Sequence, residues 1–214
     1  DGKRTETYRV TVIEPYVHGP YIDELPDFFS DPQGVYLLRS AAPLPRWRAR
    51  FPDAVLLWEP LQQYMITQNS AEFRAMLSHV DIVSPNLLEA EQIYGFNDPV
   101  RLVRAMFDDG AQTVALRMGE HGSIVGQRDG ELFKIPIVPV PEIVDQTGAG
   151  NTYCGAFLVA WMLTRDLAQA GCRAAVAASF ALENIGVADP VRETLDAQRS
   201  ARLEGCIAQV EKLT

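Results

Sequence analysis

The stretch Val144-Asp145-Gln146-Thr147-Gly148-Ala149-Gly150-Asn151 carries the densest chemistry in the chain. It reads as the exit of a strand, a glycine turn, and an apolar helix over residues 149–164. Glycines at such a turn let the backbone pass close to a ligand. The free N–H groups of a helix's first turn add a place for an anion. The spacing matches neither G-x-x-x-x-G-K-[ST] nor G-x-G-x-x-G, because the next glycine after Gly150 is Gly155. Walker-type NTPase and dinucleotide dehydrogenase readings are therefore set aside.

Upstream of this turn, short apolar runs at residues 35–38, 54–58, 82–84 and 113–116 are too short for helices and are bounded by breakers. Such unbroken runs suit strands buried on both faces. Helical patterns lie between them at residues 44–50, 71–79, 87–94 and 99–107, and the alternation argues for a parallel sheet with flanking helices. Gly119 and Gly122 bracket a hairpin, and a strand over residues 132–138 follows, so the sheet turns mixed at this end. Residues 6–13, with Tyr8, Val10 and Val12 alternating with polar neighbours, read as one more strand. After residue 149 the pattern is helical, with further helices over residues 169–185 and 194–210. The expectation is one α/β domain over residues 1–214.

The 214 residues are 47% apolar and 22% charged, which fits one sizeable core. The longest apolar run, residues 153–163, is far short of the ~18–20 residues of a membrane-spanning helix. A formal charge of -9 repels a phosphate backbone, so nucleic acid is not expected as a partner. Cys154, Cys172 and Cys206 are widely spaced with no zinc pattern, which fits a reducing, cytoplasmic setting. Because the chain starts at Asp1, it is expected to be a fragment.

Asp145 to Asn151, followed by Gly155-Ala156-Phe157, resembles the D-T-T-G-A-G-D-x-F-x-G-G signature of the pfkB, or ribokinase-like, carbohydrate kinases. Ser84-Pro85-Asn86-Leu87-Leu88-Glu89 is similar to the family's N-x-x-E motif. Leu116-Arg117-Met118-Gly119-Glu120-His121-Gly122 is similar to its T-L-G-x-x-G strand. The resemblance implies a ribokinase-like three-layer α/β/α fold, with this chain as roughly the C-terminal two thirds of the family domain. It also implies ATP-dependent phosphoryl transfer to a hydroxyl of a sugar, polyol or similar small alcohol, a reaction that rests on positioning and electrostatics.

On that resemblance the N–H groups around Gly148, Ala149, Gly150 and Asn151 face the transferred phosphate. Asn86, Glu89, Arg117, Gly119, Gly122, Thr147 and Asn184 border the nucleotide, and Glu89 and Asp145 attend Mg²⁺. A monovalent cation and a homodimer stay open. Asn86 and Glu89 equally form a capping box on the residues alone, and Arg117 equally reads as a solvated strand-end arginine. His18, His79 and His121 receive no role. The cluster Arg46-Trp47-Arg48-Ala49-Arg50 reads as arginines facing water around an anchored Trp47.

The sequence departs from the family in two places that matter. Asn151 stands where the signature has the aspartate that takes the hydroxyl proton, and an amide cannot accept it. A slow kinase and a nucleotide-binding or regulatory pseudokinase are therefore both carried. Trp58-Glu59-Pro60 also replaces the common D-P. The N-terminal third with the sugar-binding motifs has no counterpart here, and Asp1-Gly2-Lys3-Arg4-Thr5 resembles the lid region that follows it.

Overall fold

The computed structural model describes residues 21–186 and 193–213. The expected strand over residues 6–13 lies outside them. The described residues form a seven-stranded sheet in which spatial order equals chain order. Strands β1 (Gly34–Arg39), β2 (Val55–Pro60), β3 (Ile82–Val83) and β4 (Thr113–Arg117) are parallel neighbours. Strands β5 (Ser123–Gln127), β6 (Leu132–Ile135) and β7 (Glu211–Leu213) then add on antiparallel.

Helices α1 (Leu44–Arg50), α2 (Ser70–Met76), α3 (Leu87–Tyr94) and α4 (Pro99–Asp108) connect the parallel strands. Their buried residues Leu44, Trp47, Phe73, Ile93, Leu102 and Met106 share one core with Leu37, Leu56, Trp58, Val83, Val114 and Leu116 of the sheet. Helices α5 (Ala149–Thr164) and α6 (Leu167–Leu182) cover the opposite face. There Leu57, Ile82, Ala115, Val125 and Ile135 pack on Phe157, Trp161, Ala170 and Ala174. Leu56 and Leu57 enter different cores because successive strand side chains point to opposite faces. This is the expected three-layer arrangement, and it explains why the parallel strands show no alternation.

Local chemistry sets the element ends. Asp98 caps α4 with Pro99 in its first position, and Asp166 caps α6. Gly95, at φ 76°, closes α3 in the left-handed conformation that glycine adopts freely.

Two expectations need correction. The strand expected over residues 132–138 stops at Ile135, because Pro136 has no N–H to give a ladder. The helix expected over residues 194–210 ends at Ile207, and the chain turns back as β7, pairing Lys212 opposite Phe133. The basic cluster is partly corrected as well. Trp47 is buried as expected, but Arg48 bonds the His79 and Ala54 carbonyls and the Asp81 carboxylate, which fastens α1 to the sheet.

Candidate active site

The parallel strands deliver their carboxyl ends to one edge of the sheet, the edge where open α/β folds bind ligands. On the α5 side of that edge the period-2 alternation places Tyr36, Glu59, Ser84 and Arg117. Glu59 and Glu89 are buried there, a costly arrangement for a charge unless it is paired. Arg117 supplies the pairing. Its Nη1 lies 2.8 Å from Glu59 Oε1, and its Nη2 donates to the Ser84 carbonyl at 2.9 Å. The same Nη2 is 3.9 Å from Glu89 Oε2. The Tyr36 hydroxyl donates to Glu59 Oε2.

Burial works against the Arg117 charge, yet the Cys154 sulfur, Glu59 and Glu89 around it raise its pKa above the usual value. Burial likewise raises the Glu89 carboxyl, against the opposing pull of the Asn86 N–H bond and Arg117. The Tyr36 phenol is pushed well up by burial and then by Glu59, so its proton stays on the oxygen. Burial pushes the Cys154 thiol up to about 12, and its Sγ donates to Ser84 Oγ at 3.3 Å.

Asn86 and Glu89 form the full capping box. Asn86 Oδ1 accepts from the Glu89 N–H at 2.9 Å, and Glu89 Oε2 accepts from the Asn86 N–H at 2.8 Å. Asn86 also bridges to Arg117 beside β4, so the capping box and the arginine belong to one constellation.

The glycine turn lies directly above it. Gly148, at φ 82°, is the left-handed residue from which α5 starts. A Cβ on Gly150 would come within 2.3 Å of Arg117 Nη1, so glycine lets the helix N-terminus rest on the guanidinium. The Ala149 N–H is turned back to the Gln146 carbonyl at 3.3 Å. Gly150 and Asn151 follow as first-turn residues whose N–H groups have no intrahelical acceptor. Asn151 is exposed. Asp145 Oδ1 accepts from the Thr147 N–H at 2.9 Å. The Leu182 carbonyl accepts from Val144 and Asp145 at 2.8 and 3.2 Å, so the end of α6 holds the loop. Asn184, also at that end, donates to the Phe180 carbonyl.

Gly119 and Gly122 flank the turn between β4 and β5. A Cβ on Gly122 would lie 2.1 Å from the Ile135 carbonyl oxygen, so this glycine lets the turn pass β6. A cavity of about 550 Å³ beside the turn is lined by Glu120, His121, Lys134, Pro136 and Ile137 and by the segment that leads into β7. It contains none of the glycine-loop residues. His121 points to solvent, with 71% of its side chain exposed.

The site therefore joins the residues picked out in the sequence at the Gly148, Asn86 and Arg117 motifs. Sequence reasoning missed Tyr36, Ser84 and Cys154, and treated Glu59 only as a departure. The available signal was a carboxylate ending an otherwise apolar strand.

A glycine turn on a helix N-terminus, over the carboxyl ends of a parallel sheet, is the arrangement in which open α/β folds present backbone N–H groups to a ligand. The model of the pfkB family of carbohydrate kinases matches residues 61–194, more than half of the chain, and the chain belongs to that family. It is 38% identical over 96 residues to the cytidine kinase of Thermococcus kodakarensis, covering 44% of this chain and 34% of that one. It is 27% identical over 158 residues to the uncharacterized protein C16C9.01c of Schizosaccharomyces pombe, covering 62% of this chain and 44% of the relative. The chain thus spans under half the length of these two relatives. The crystal structure of adenosine kinase from Sinorhizobium meliloti superposes with a TM-score of 0.71 at 21% identity, over 84% of this chain and 57% of that one. That likeness establishes the ribokinase-like fold.

Proposed function

We propose that this chain carries the phosphoryl-donor half of an ATP-dependent kinase that phosphorylates a hydroxyl of a sugar, nucleoside or similar small alcohol. The observation that carries the reading is the Gly148–Gly150 turn seated on Arg117. An anion arriving at this turn meets the Gly150 and Asn151 N–H groups and, beneath them, the Arg117 guanidinium in its pair with Glu59.

The donor set fits a nucleotide's phosphates. Gly148, Ala149 and Gly150 shape the turn, and the Gly150 and Asn151 N–H groups receive charge that develops on the transferred phosphoryl group. Thr147, Gly119, Gly122 and Asn184 border the rest of the nucleotide. Magnesium ordinarily binds through a few carboxylates, waters and substrate phosphates. Glu89 and Asp145 each spend an oxygen on a backbone N–H, which suits contact through water rather than a dedicated cage. When bound, the ion neutralises donor charge. Asn151 can orient an acceptor hydroxyl by hydrogen bonding, but it cannot take its proton.

That amide also favours a second reading, a nucleotide-binding or regulatory protein without efficient transfer. The three cysteines are free, and no helix among the described residues is long and apolar enough to cross a membrane.

The test is a crystal soaked with a non-hydrolysable ATP analogue and Mg²⁺, paired with ADP release across sugars, polyols and nucleosides. Phosphates on the Gly148 turn with acceptor-dependent release support the kinase. Phosphates there without release under any acceptor support the second reading. Nucleotide bound elsewhere defeats both.

A further inference from the structure

Helix α7 (Glu193–Ile207) packs along α6 and leads through a short turn into β7. Arg202 clamps the two helices. Its guanidinium donates to both Glu183 carboxylate oxygens, at 2.7 and 2.9 Å, and to Ser179 Oγ at 2.8 Å, and it lies 4.3 Å from the centre of the Phe180 ring. Cys206 comes one helical turn after Arg202, and Cys172 comes two turns before Ser179. Both cysteines therefore lie on the faces that the clamp turns toward each other, and both are buried in the same core as Ala170 and Phe180. There the two thiols hydrogen-bond to each other across the helix pair. A single buried cysteine is an inert apolar side chain, but two that converge from facing helices have the arrangement a disulfide requires.

We propose that Cys172 and Cys206 form a reversible disulfide, made by exchange with a low-molecular-weight disulfide, that latches α7 and β7 onto α6. The bond between the thiols lowers the Cys206 pKa, and the same bond together with burial raises that of Cys172, so Cys206 ionises first. Once the last turn of α7 opens, the Cys206 thiolate attacks one sulfur of the small disulfide and expels the other half as a thiolate. The Cys172 thiolate then attacks Cys206 Sγ in the mixed disulfide and expels the second half. Two protein thiols lose two electrons and two protons, and the small disulfide gains them as two thiols. The latch sits at the turn into β7, where the Gln209 N–H bonds to the Cys206 carbonyl at 3.1 Å. At the other end of α6 the Leu182 carbonyl holds Val144 and Asp145 ahead of the glycine turn, so the latch fastens the helix that carries that loop. The inference stands apart from the kinase reading, and its test needs neither nucleotide nor turnover.

The experiment incubates the chain with oxidised glutathione, in buffer and in urea below the unfolding transition so that local opening is not limiting, and maps the product by non-reducing tryptic digestion and mass spectrometry. Cleavage at lysine and arginine puts Cys154, Cys172 and Cys206 on separate peptides, residues 135–165, 166–173 and 203–212. Peptide 166–173 should appear joined to 203–212. The joined chain should unfold several degrees higher, because the bond restricts the unfolded chain, and dithiothreitol should reverse both changes. Cys206→Ser should abolish the link and the rise in midpoint, and the dithiothreitol reversal supplies the same comparison if that variant does not fold. Thiols that stay reduced in buffer and in urea overturn the proposal, as do glutathione caps on Cys172 or Cys206 without the link. A link through Cys154, or a joined chain whose midpoint does not rise, overturns it equally.

Discussion

Gly150 and Arg117 are in contact across the site: a Cβ on Gly150 would lie 2.3 Å from Nη1, the nitrogen that also pairs with Glu59 at 2.8 Å. One methyl group must therefore displace either the helix N-terminus or a buried ion pair. Gly150→Ala should cost about 1–3 kcal/mol, the range for overpacking a filled interior. Gly155→Ala on the same helix is the control. Nothing lies within 4 Å of its Cβ, and alanine is the better helix former by up to ~1 kcal/mol. Urea midpoints of the two variants should move in opposite directions. Equal midpoints would mean that the guanidinium is not seated against the loop.

The same arginine makes Glu59 expensive to remove. Breaking one side of a buried pair leaves the other charge uncompensated, at about 3–5 kcal/mol. Glu59→Gln should approach that cost. Tyr36→Phe, which removes only the hydroxyl bonded to Glu59 Oε2, should cost about 1 kcal/mol. Denaturant unfolding of both variants checks the ordering. A Glu59→Gln loss no larger than that of Tyr36→Phe would show the pair to be solvated.

Much of this architecture was legible in the sequence, and the failures have physical causes. Helix α5 and the four parallel strands declared themselves because burial on both faces leaves unbroken apolar runs, and because the glycine turn fixes where α5 begins. Strand β7 did not. Its residues Glu211 and Lys212 are exposed, and its pairing with Lys134 and Phe133 is a contact between distant parts of the chain. Asn86 and Glu89 were visible as a capping box because that interaction is local. Tyr36, Ser84 and Cys154 were not visible, since only the sheet register brings them to Arg117.

Glu89 gives a pH-dependent signature. Its ordinary value is 4.5, and burial raises it in the folded chain. An acid with a raised folded-state pKa contributes stability that is full below the unfolded value and is lost as pH rises through the folded one. Glu89→Gln keeps an acceptor for the Asn86 N–H but removes the titration. As pH rises from the ordinary value through the raised folded-state one, the native chain should therefore lose stability relative to Glu89→Gln. Urea midpoints of both proteins across that window measure the gap. A constant gap would mean that Glu89 is as well solvated as in the unfolded chain.

On the proposed kinase reading, Asn151 sets how much chemistry the site can do. It is the third residue of α5 and exposed at the mouth of the glycine turn, where an acceptor hydroxyl would approach the bound phosphoryl group. The N–H groups and the Arg117 charge beneath them do not depend on its side chain, so substituting it should leave positioning intact. Asn151→Asp adds a group able to accept the hydroxyl proton, and a positioned general base typically contributes ~10²–10⁴ in rate. In the full-length protein, with its correct acceptor, Asn151→Asp should raise ADP release at least ~10²-fold. Nucleotide affinity should hold or fall slightly, because the new carboxylate repels the phosphates while the backbone donors remain. Fast turnover by the native protein would mean that another residue takes the proton. An inert Asn151→Asp that still binds nucleotide, tested across sugars, polyols and nucleosides, would place the loss in the acceptor pocket and favour the regulatory reading.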